Sequence, residues 1–221
     1  MVSKKAKLIF LMPPKTASNS IKECLLDSSI DFLDFNRKYK KPKIHLYLSE
    51  LVDLFQITDL HNYKVIQVVR EPTIRFISSY FHQLKIIKDI NYNFKIEGMS
   101  FTEFTNHFYA CLFNKNFLNN FYGNPKFIYN KINSGINWGG SRAYLSQSQW
   151  NDLGADITYI KLEDISKDIT ILSKELGIYL PELEKKNTNT VSYEKYDEYI
   201  TKETNDIIRY VYEEDFINFK Y

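Results

Sequence analysis

The chain has 221 residues, a formal net charge of +2 and only two cysteines. This near-neutral charge gives no indication of a nucleic-acid binder, so any recognition of anions has to be local. The length fits one domain, residues 1–221, better than two.

Both cysteines, Cys24 and Cys111, lie within apolar patterns. A count this low argues against a disulfide framework and favours buried thiols in a reducing compartment. The apolar stretch after the basic residues at the start is only about five residues long, too short for a signal peptide or a membrane span. We therefore expect a soluble cytoplasmic protein, while an amphipathic contact with a membrane surface stays open.

The first predicted strand covers residues 7–12, and its continuous apolar run from Leu8 is typical of a buried parallel strand. Pro13 and Pro14 end it, because neither can donate a hydrogen bond to a neighbouring strand. A helix is predicted over 17–26. The geometry is therefore strand, tight loop, helix.

The loop between this strand and helix combines a lysine with small polar residues. A helix N-terminus with a nearby cation favours a bound phosphate or sulfate. The candidate anion-binding residues are Lys15, Thr16, Ser18, Asn19 and Ser20. The alternative is that Ser18 or Asn19 only caps the helix.

The next part of the chain carries weaker signals. Residues 30–35 are expected to form a short strand, and the basic segment 37–43 a solvated loop. Residues 48–55 are expected to form a helix.

Residues 63–69 form the clearest strand, and a helix is predicted over 73–88. Alternating strands and helices indicate an α/β protein with a parallel sheet, in which ligands bind beyond the carboxyl ends of the strands. Lys15 and Arg70 both fall at that edge. Ser78 lies two helical turns after Arg70.

The remaining elements complete the predicted sheet. Residues 101–113 are expected to be helical within a mostly helical insertion at about 90–140, either an acceptor-recognition region or a surface insertion with a local core. A strand over 157–162 precedes a helix over 166–176 that ends at Gly177. The last predicted helix covers 202–215.

The first loop differs from the phosphate-binding loop of nucleotide kinases. It lacks the leading glycines and the Gly-Lys-Ser/Thr ending, and no acidic pair is obviously placed to hold magnesium. This disfavours a metal-dependent kinase. Two anion sites at neighbouring strand ends suit a nucleoside with phosphates at both ends.

Two segments resemble the sulfotransferases. Residues 14–20 resemble their 5′-phosphosulfate-binding loop, and residues 69–80 resemble their 3′-phosphate-binding strand and helix. The resembling group contains the Golgi carbohydrate sulfotransferases and their bacterial relatives. Features farther along recur in order: Gln147, Leu162-Glu163-Asp164, Leu176-Gly177, the Asn187 region before Tyr193 and Tyr196, and the stretch from Tyr212 to Tyr221. The resemblance covers most of the chain except about 90–140.

The resemblance implies a P-loop-like parallel sheet flanked by helices and a donor substrate, 3′-phosphoadenosine 5′-phosphosulfate. A sulfuryl group would pass to a hydroxyl or amine, with no bound metal. Lys15 would stabilise charge on the leaving phosphate. The 5′-phosphate would be cradled by Thr16, Ser18, Asn19 and Ser20, with Ala17 in the same loop, and the 3′-phosphate would be held by Arg70 and Ser78. The polar segment 187–193 would close over the nucleotide.

The chain departs from the family pattern at two positions. Ala17 replaces a frequent glycine, which narrows the dihedral angles open to the loop. Ile74 replaces a frequent aspartate, which we expect to remove only a structural contact. An inactive homologue therefore stays an alternative.

A base has to remove the proton of a hydroxyl acceptor as the sulfuryl group arrives, and histidine is the usual choice near neutral pH. His45 is the first candidate, because related enzymes have a histidine ahead of a helix in this stretch; the alternative is a structural histidine. His82 is second and Glu50 a reserve. His61 and His107 are expected to be surface or core residues.

The acceptor class, a carbohydrate or another small hydroxylated compound, follows from the family resemblance alone. Trp138, Tyr144 and Trp150 either stack on sugar rings or belong to the core. The alternative functions are a nucleotide-dependent phosphoryl transferase and a non-catalytic nucleotide-binding homologue. The sequence leaves the sulfated position, the pathway and the oligomeric state open.

Overall fold

The fold was established from a computed structural model, which describes residues 1–28, 30–33, 45–89, 98–113, 141–177, 179–181 and 193–221. These residues contain four strands and seven α-helices. The strands are β1 (Val2–Ser3), β2 (Leu8–Leu11), β3 (Lys64–Val69) and β4 (Ile157–Lys161). The helices are α1 (Ser18–Leu26), α2 (Leu48–Phe55), α3 (Pro72–Asp89), α4 (Phe101–Phe113), α5 (Ile165–Leu176), α6 (Lys202–Val211) and α7 (Glu213–Phe219).

The strands form one sheet in the order β1, β2, β3, β4. β1 is antiparallel to β2, whereas β2 runs parallel to β3, and β3 parallel to β4. Leu11 pairs with Gln67, and Val69 pairs with Lys161, so these parallel strands end at a common edge. The predicted α/β class with a parallel sheet is confirmed for β2, β3 and β4, and the short β1 adds an antiparallel edge.

By internal packing the chain divides into two compact units. The first comprises residues 1–71, 146–187 and 218–221, and the second comprises residues 72–145 and 188–217. The expectation that residues 1–221 form one domain stays a prediction.

The core of the first unit lies against one face of the sheet. Alternate side chains of β2 and β3, including Phe10 and Ile66, point to this face, as the two-residue period of a strand requires. Ile21 of α1 and Leu172 of α5 are buried against them. The opposite face is buried as well, as at Ile9. Burial on both faces explains the continuous apolar runs in the sequence.

The second unit has an aromatic core centred on Phe76 of α3. Its ring lies 5.1–6.0 Å, centroid to centroid, from five aromatic rings: those of Phe101, Phe104, Phe108, Tyr144 and Tyr212. Large rings at these separations make both dispersion and quadrupole contacts. These rings therefore supply the core of the second unit.

Two sequence-based expectations need correction. In the described part of 30–35 there is no strand, only a single bridge between Leu33 and Val2. The helix expected over 202–215 is interrupted at Tyr212, which has φ −113° and separates α6 from α7. Its buried hydroxyl donates to the Tyr144 carbonyl at 2.7 Å, a tertiary bond that favours this break.

Several expectations fall wholly or partly outside the described residues. These are the basic segment 37–43, residues 34–35, most of the insertion at about 90–140, the polar residues 187–192 and the side chain of Cys111. None of the helices in the described ranges is long and apolar enough to cross a membrane.

Candidate functional site

The loop after β2 has an unusual backbone. Lys15 has φ 68° and Ala17 has φ 55°, so both adopt the left-handed conformation that costs residues with a Cβ atom about 1–2 kcal/mol. Surrounding structure has to hold such a loop in place. A glycine at position 17 would adopt this conformation without the penalty.

Two buried hydroxyls hold the loop closed from within. Thr16 Oγ1 and Ser18 Oγ both donate to the carbonyl oxygen of Pro13, at 2.7 and 2.9 Å. Each hydroxyl has one proton, which is committed to Pro13 in this arrangement. The two hydroxyls therefore shape the loop, and an anion would be met chiefly by backbone N–H groups.

The N-terminus of α1 is arranged to suit an anion. Ala17 is the N-cap residue, without a side-chain cap hydrogen bond, so Ser18 and Asn19 lie inside the helix. The alternative that Ser18 or Asn19 caps it is therefore wrong. The first helical hydrogen bond runs from the Ile21 N–H to the Ala17 carbonyl at 3.1 Å. The N–H groups of residues 18–20 have no carbonyl four residues earlier within the helix. The helix dipole adds partial positive charge at this end.

Arg70 follows β3 directly and is 4% exposed. Its Nη1 donates to the carbonyl oxygen of Lys15 at 3.1 Å. This bond joins the two loops that the sequence placed at the same sheet edge. The guanidinium also provides further donors that suit a phosphate.

A buried glutamine fixes the backbone of Arg70. Gln147 Oε1 accepts the Arg70 N–H at 2.9 Å, and Gln147 Nε2 donates to the Arg70 carbonyl at 2.8 Å. Gln67 Nε2 in turn donates to the Gln147 carbonyl at 2.8 Å. Because both glutamines are fully buried, these bonds replace contacts with water that the strand end cannot make.

Glu163 holds the backbone of the residue after Arg70 in a similar way. Its Oε1 accepts the Glu71 N–H at 3.0 Å, and its Oε2 accepts the Tyr221 hydroxyl proton at 2.6 Å. Burial, followed by the hydrogen bond to Glu163, raises the pKa of the Tyr221 phenol. The phenol is therefore a neutral donor at ordinary pH.

His45 lies at the entry to the first loop. Its Nδ1 is 2.8 Å from the carbonyl oxygen of Met12, the residue after β2. A carbonyl oxygen only accepts hydrogen bonds, so Nδ1 carries the proton in this contact. In the neutral ring the other nitrogen, Nε2, then has the lone pair that a general base needs.

The other candidate bases have different surroundings. Glu50 Oε2 accepts the Tyr47 N–H at 2.8 Å and so caps α2. His61 is exposed, as expected, and His107 is half-buried, with its pKa lowered by burial. His82 lies on α3 in the second unit, and its role as second candidate stays a prediction.

Ser78 also belongs to the second unit, where it is 2% exposed on α3. Its assignment to the 3′-phosphate stays a prediction. Ile74 is half-buried on the same helix.

The aromatic residues considered for sugar stacking are core residues where they are described. Tyr144 is 7% exposed, and Trp150 is fully buried against the Tyr47 ring with 5.1 Å between centroids. Trp138 lies outside the described residues. Stacking of a sugar on Tyr144 or Trp150 would require displacement of core contacts.

Among the described residues, no three or more His, Cys, Asp or Glu side chains are grouped so that they could hold a metal ion.

Sequence reasoning missed the structural roles of Gln147, Glu163 and Tyr221, which it noted only as recurring family features. Their partners lie far away along the chain: 77 residues separate Gln147 from Arg70, and 92 separate Glu163 from Glu71. The one local signal is that Glu163 follows a predicted strand, where side chains often meet the loops of neighbouring strands.

Comparison with known proteins gives one family. No curated protein and no solved structure matches the chain. The family model of the sulfotransferases matches residues 1–221, the full length, and the chain therefore belongs to the sulfotransferase family.

Proposed function

We propose that this protein transfers a sulfuryl group from 3′-phosphoadenosine 5′-phosphosulfate to a hydroxyl or amine of a carbohydrate or glycan-like acceptor. The observation that carries this proposal is the hydrogen bond from Arg70 to Lys15. It brings two cation-bearing loops, each at the end of a parallel strand, to one edge of the sheet. A nucleotide with a phosphate at each end matches two such loops.

The first loop would bind the 5′ end of the donor. Backbone N–H groups at the start of α1, in residues 18–20, would meet the 5′-phosphate with the help of the helix dipole. Lys15 would place its ammonium at the bridging oxygen, where negative charge develops as the bond to sulfur breaks. Thr16 and Ser18 would act by holding the loop through Pro13.

The second loop would bind the 3′-phosphate. The Arg70 guanidinium would donate charge-assisted hydrogen bonds to the phosphate. Gln147 supports this role, because Arg70 loses less conformational freedom on binding when its backbone is already fixed. The assignment of Ser78 to the same phosphate belongs to this proposal.

His45 would act as the general base for a hydroxyl acceptor. The acceptor oxygen forms a bond to sulfur while the bond between sulfur and the bridging oxygen of the 5′-phosphate breaks. The acceptor proton passes to His45 Nε2, and 3′-phosphoadenosine 5′-phosphate leaves with the electron pair of the broken bond. The contact of Nδ1 with Met12 supports this role, since it sets the required tautomer.

The acceptor class and the cytoplasmic location are proposed from the sequence. The carbohydrate acceptor rests on the family resemblance, and a role of residues 90–140 in recognising it rests on their position in the sequence. The low cysteine count favours a reducing compartment. No metal is assigned a role.

Calorimetric binding tests the proposal. The ligands are 3′-phosphoadenosine 5′-phosphate, adenosine 5′-phosphate and ATP, each with and without magnesium. We expect tight metal-independent binding of the first, and a loss of at least about tenfold when the 3′-phosphate is absent, as for a charge-assisted contact. Preference for ATP with magnesium would instead favour a phosphoryl transferase, and binding without turnover on any acceptor would favour a non-catalytic homologue.

A further inference from the structure

The peptide groups at the end of β3 are held by side chains in place of a neighbouring strand. Gln147 pairs with both the N–H and the carbonyl of Arg70, and Glu163 accepts the N–H of Glu71. Three successive polar groups of the backbone are thus fixed around the residue proposed to bind the 3′-phosphate. An arginine on such a backbone is preorganised for its ligand.

Glu163 is the outermost of these supports and is itself held from the other side. It lies two residues beyond β4, and Tyr221 donates to the oxygen that Glu71 does not use. The carboxylate therefore bridges the end of β3 and the segment 218–221. A bridging carboxylate with both oxygens engaged has a fixed orientation, which a singly bonded one on an exposed turn lacks.

The segment 218–221 is attached to the same unit by further contacts. Lys161 Nζ donates to the Lys220 carbonyl at 2.9 Å and lies 4.2 Å from the centre of the Tyr221 ring. The Phe219 ring packs on Tyr159 with 4.9 Å between centroids. These contacts hold Tyr221 beside Glu163 and restrict the other conformations that Tyr221 could adopt.

We infer that Glu163 and Tyr221 are positioning residues for the 3′-phosphate end of the donor site. They act through the Glu71 backbone on Arg70 and do not touch the donor. This inference rests on the proposed function, because it assigns to both residues a share of the selectivity for the 3′-phosphate.

Electrostatics provides an independent check on this role. The Glu163 carboxylate is a negative charge near the cation proposed to bind a phosphate, so by charge alone it would oppose donor binding. The Arg70 charge in turn lowers the pKa of the Tyr221 phenol, against the larger effects of burial and Glu163, which raise it. Positioning and charge therefore predict opposite effects for removal of Glu163.

The test compares Glu163→Ala, Glu163→Gln and Tyr221→Phe with Tyr179→Phe, an exposed tyrosine of the same unit as a matched control. Calorimetry measures the affinities for 3′-phosphoadenosine 5′-phosphate and adenosine 5′-phosphate, and thermal unfolding checks that each variant is folded. The glutamine variant is informative because its amide can still accept from Glu71 and pair with the tyrosine hydroxyl.

We expect Glu163→Ala to weaken binding of the 3′-phosphorylated nucleotide about threefold to tenfold, and Tyr221→Phe about twofold to threefold, as for exposed hydrogen bonds. Adenosine 5′-phosphate should bind unchanged, and Glu163→Gln and Tyr179→Phe should resemble the wild type. Unchanged or tighter binding by folded Glu163→Ala would overturn the inference while leaving the proposed function intact. A wild-type protein that does not distinguish the two nucleotides would overturn both.

Discussion

The guanidinium of Arg70 donates a hydrogen bond to the backbone carbonyl of Lys15, with 3.1 Å between Nη1 and the oxygen. Lys15 is in a left-handed conformation, which a lysine adopts only when its surroundings hold it there. Arg70 therefore has two roles in the proposed site. It would bind one phosphate directly, and it shapes the loop that would bind the other.

Replacement of Arg70 by alanine should weaken binding of both nucleotides. We expect a loss of about a hundredfold for 3′-phosphoadenosine 5′-phosphate, which loses a charge-assisted contact and an ordered loop. For adenosine 5′-phosphate we expect affinity to fall by about threefold to tenfold, because only the order of the Lys15 loop is affected. Calorimetry measures both values. Arg209→Ala, at an exposed arginine, is the control and should change neither. An unchanged affinity for adenosine 5′-phosphate would show that the bond to Lys15 does not order the loop.

Replacement of Gln147 by alanine should destabilise the protein by about 2–4 kcal/mol. The reason is that the buried N–H and carbonyl of Arg70 would both lose their partner. Urea unfolding measures the loss. Gln149→Ala is a matched control, because Gln149 is exposed on the same helical turn.

Replacement of Gln147 by glutamate refines this test. The ionised form of the introduced carboxyl would face the Arg70 carbonyl oxygen, and neither group has a proton to donate. The protonated form would donate a hydrogen bond to that oxygen. Burial and this repulsion raise the pKa of the introduced carboxyl in the folded state, so stability should fall as pH rises through that pKa. A pH-independent difference from the wild type would contradict the hydrogen-bond assignment.

The main strands could be predicted because burial on both faces leaves a continuous apolar run, as at 63–69. β1 was not predicted, since a two-residue strand leaves no periodic pattern. The break between α6 and α7 was not predicted either, because no glycine or proline marks it. It occurs at Tyr212, whose hydroxyl bonds Tyr144, 68 residues away in the sequence.

In the candidate site, too, features set by local sequence patterns could be predicted, and features set by distant contacts could not. Lys15 and Arg70 could be placed at one edge because parallel strands end together, and this needs only local patterns. The partners of Arg70 depend on contacts between distant segments, so Gln147 had no local signal for its role. The direction of the Thr16 hydroxyl toward Pro13 also depends on loop geometry that composition does not encode.

Replacement of Ala17 by glycine should stabilise the protein by about 0.5–1 kcal/mol. The left-handed conformation at φ 55° penalises alanine by more than glycine loses in chain entropy. Urea unfolding measures the gain. Ala155→Gly is the control: its residue is not among those with positive φ, so the same change there should destabilise. A loss of stability in Ala17→Gly would mean that Cβ packing outweighs the backbone cost.

The thiol of Cys24 should contribute to alkaline unfolding. Burial, with a contribution from Asp27, raises its pKa from 9.0 to about 11. Its Sγ also donates to the Pro181 carbonyl at 3.1 Å. Since the folded state binds the proton more tightly, the stability that the thiol contributes is present below pH 9.0 and falls as pH rises to about 11.

The measurement for Cys24 is urea unfolding of the wild type and Cys24→Ala at several pH values. The difference between the two free energies of unfolding isolates the thiol from the tyrosines that titrate in the same range. It should be constant near neutral pH and decrease above pH 9.0. A difference that does not depend on pH would mean that the thiol is accessible to water.

Replacement of His45 by asparagine should separate the base from its anchor. The asparagine amide can still donate to the Met12 carbonyl, as Nδ1 does, but it offers no basic nitrogen. We expect turnover to fall about a hundredfold to ten-thousandfold, with nucleotide affinity within about twofold of the wild type. The decline in rate toward acid pH that a protonated imidazole causes should also disappear. Steady-state kinetics on an accepted substrate measures both, with His61→Ala, at an exposed histidine, as the control. Normal turnover in His45→Asn combined with its loss in His82→Ala would transfer the base role to His82.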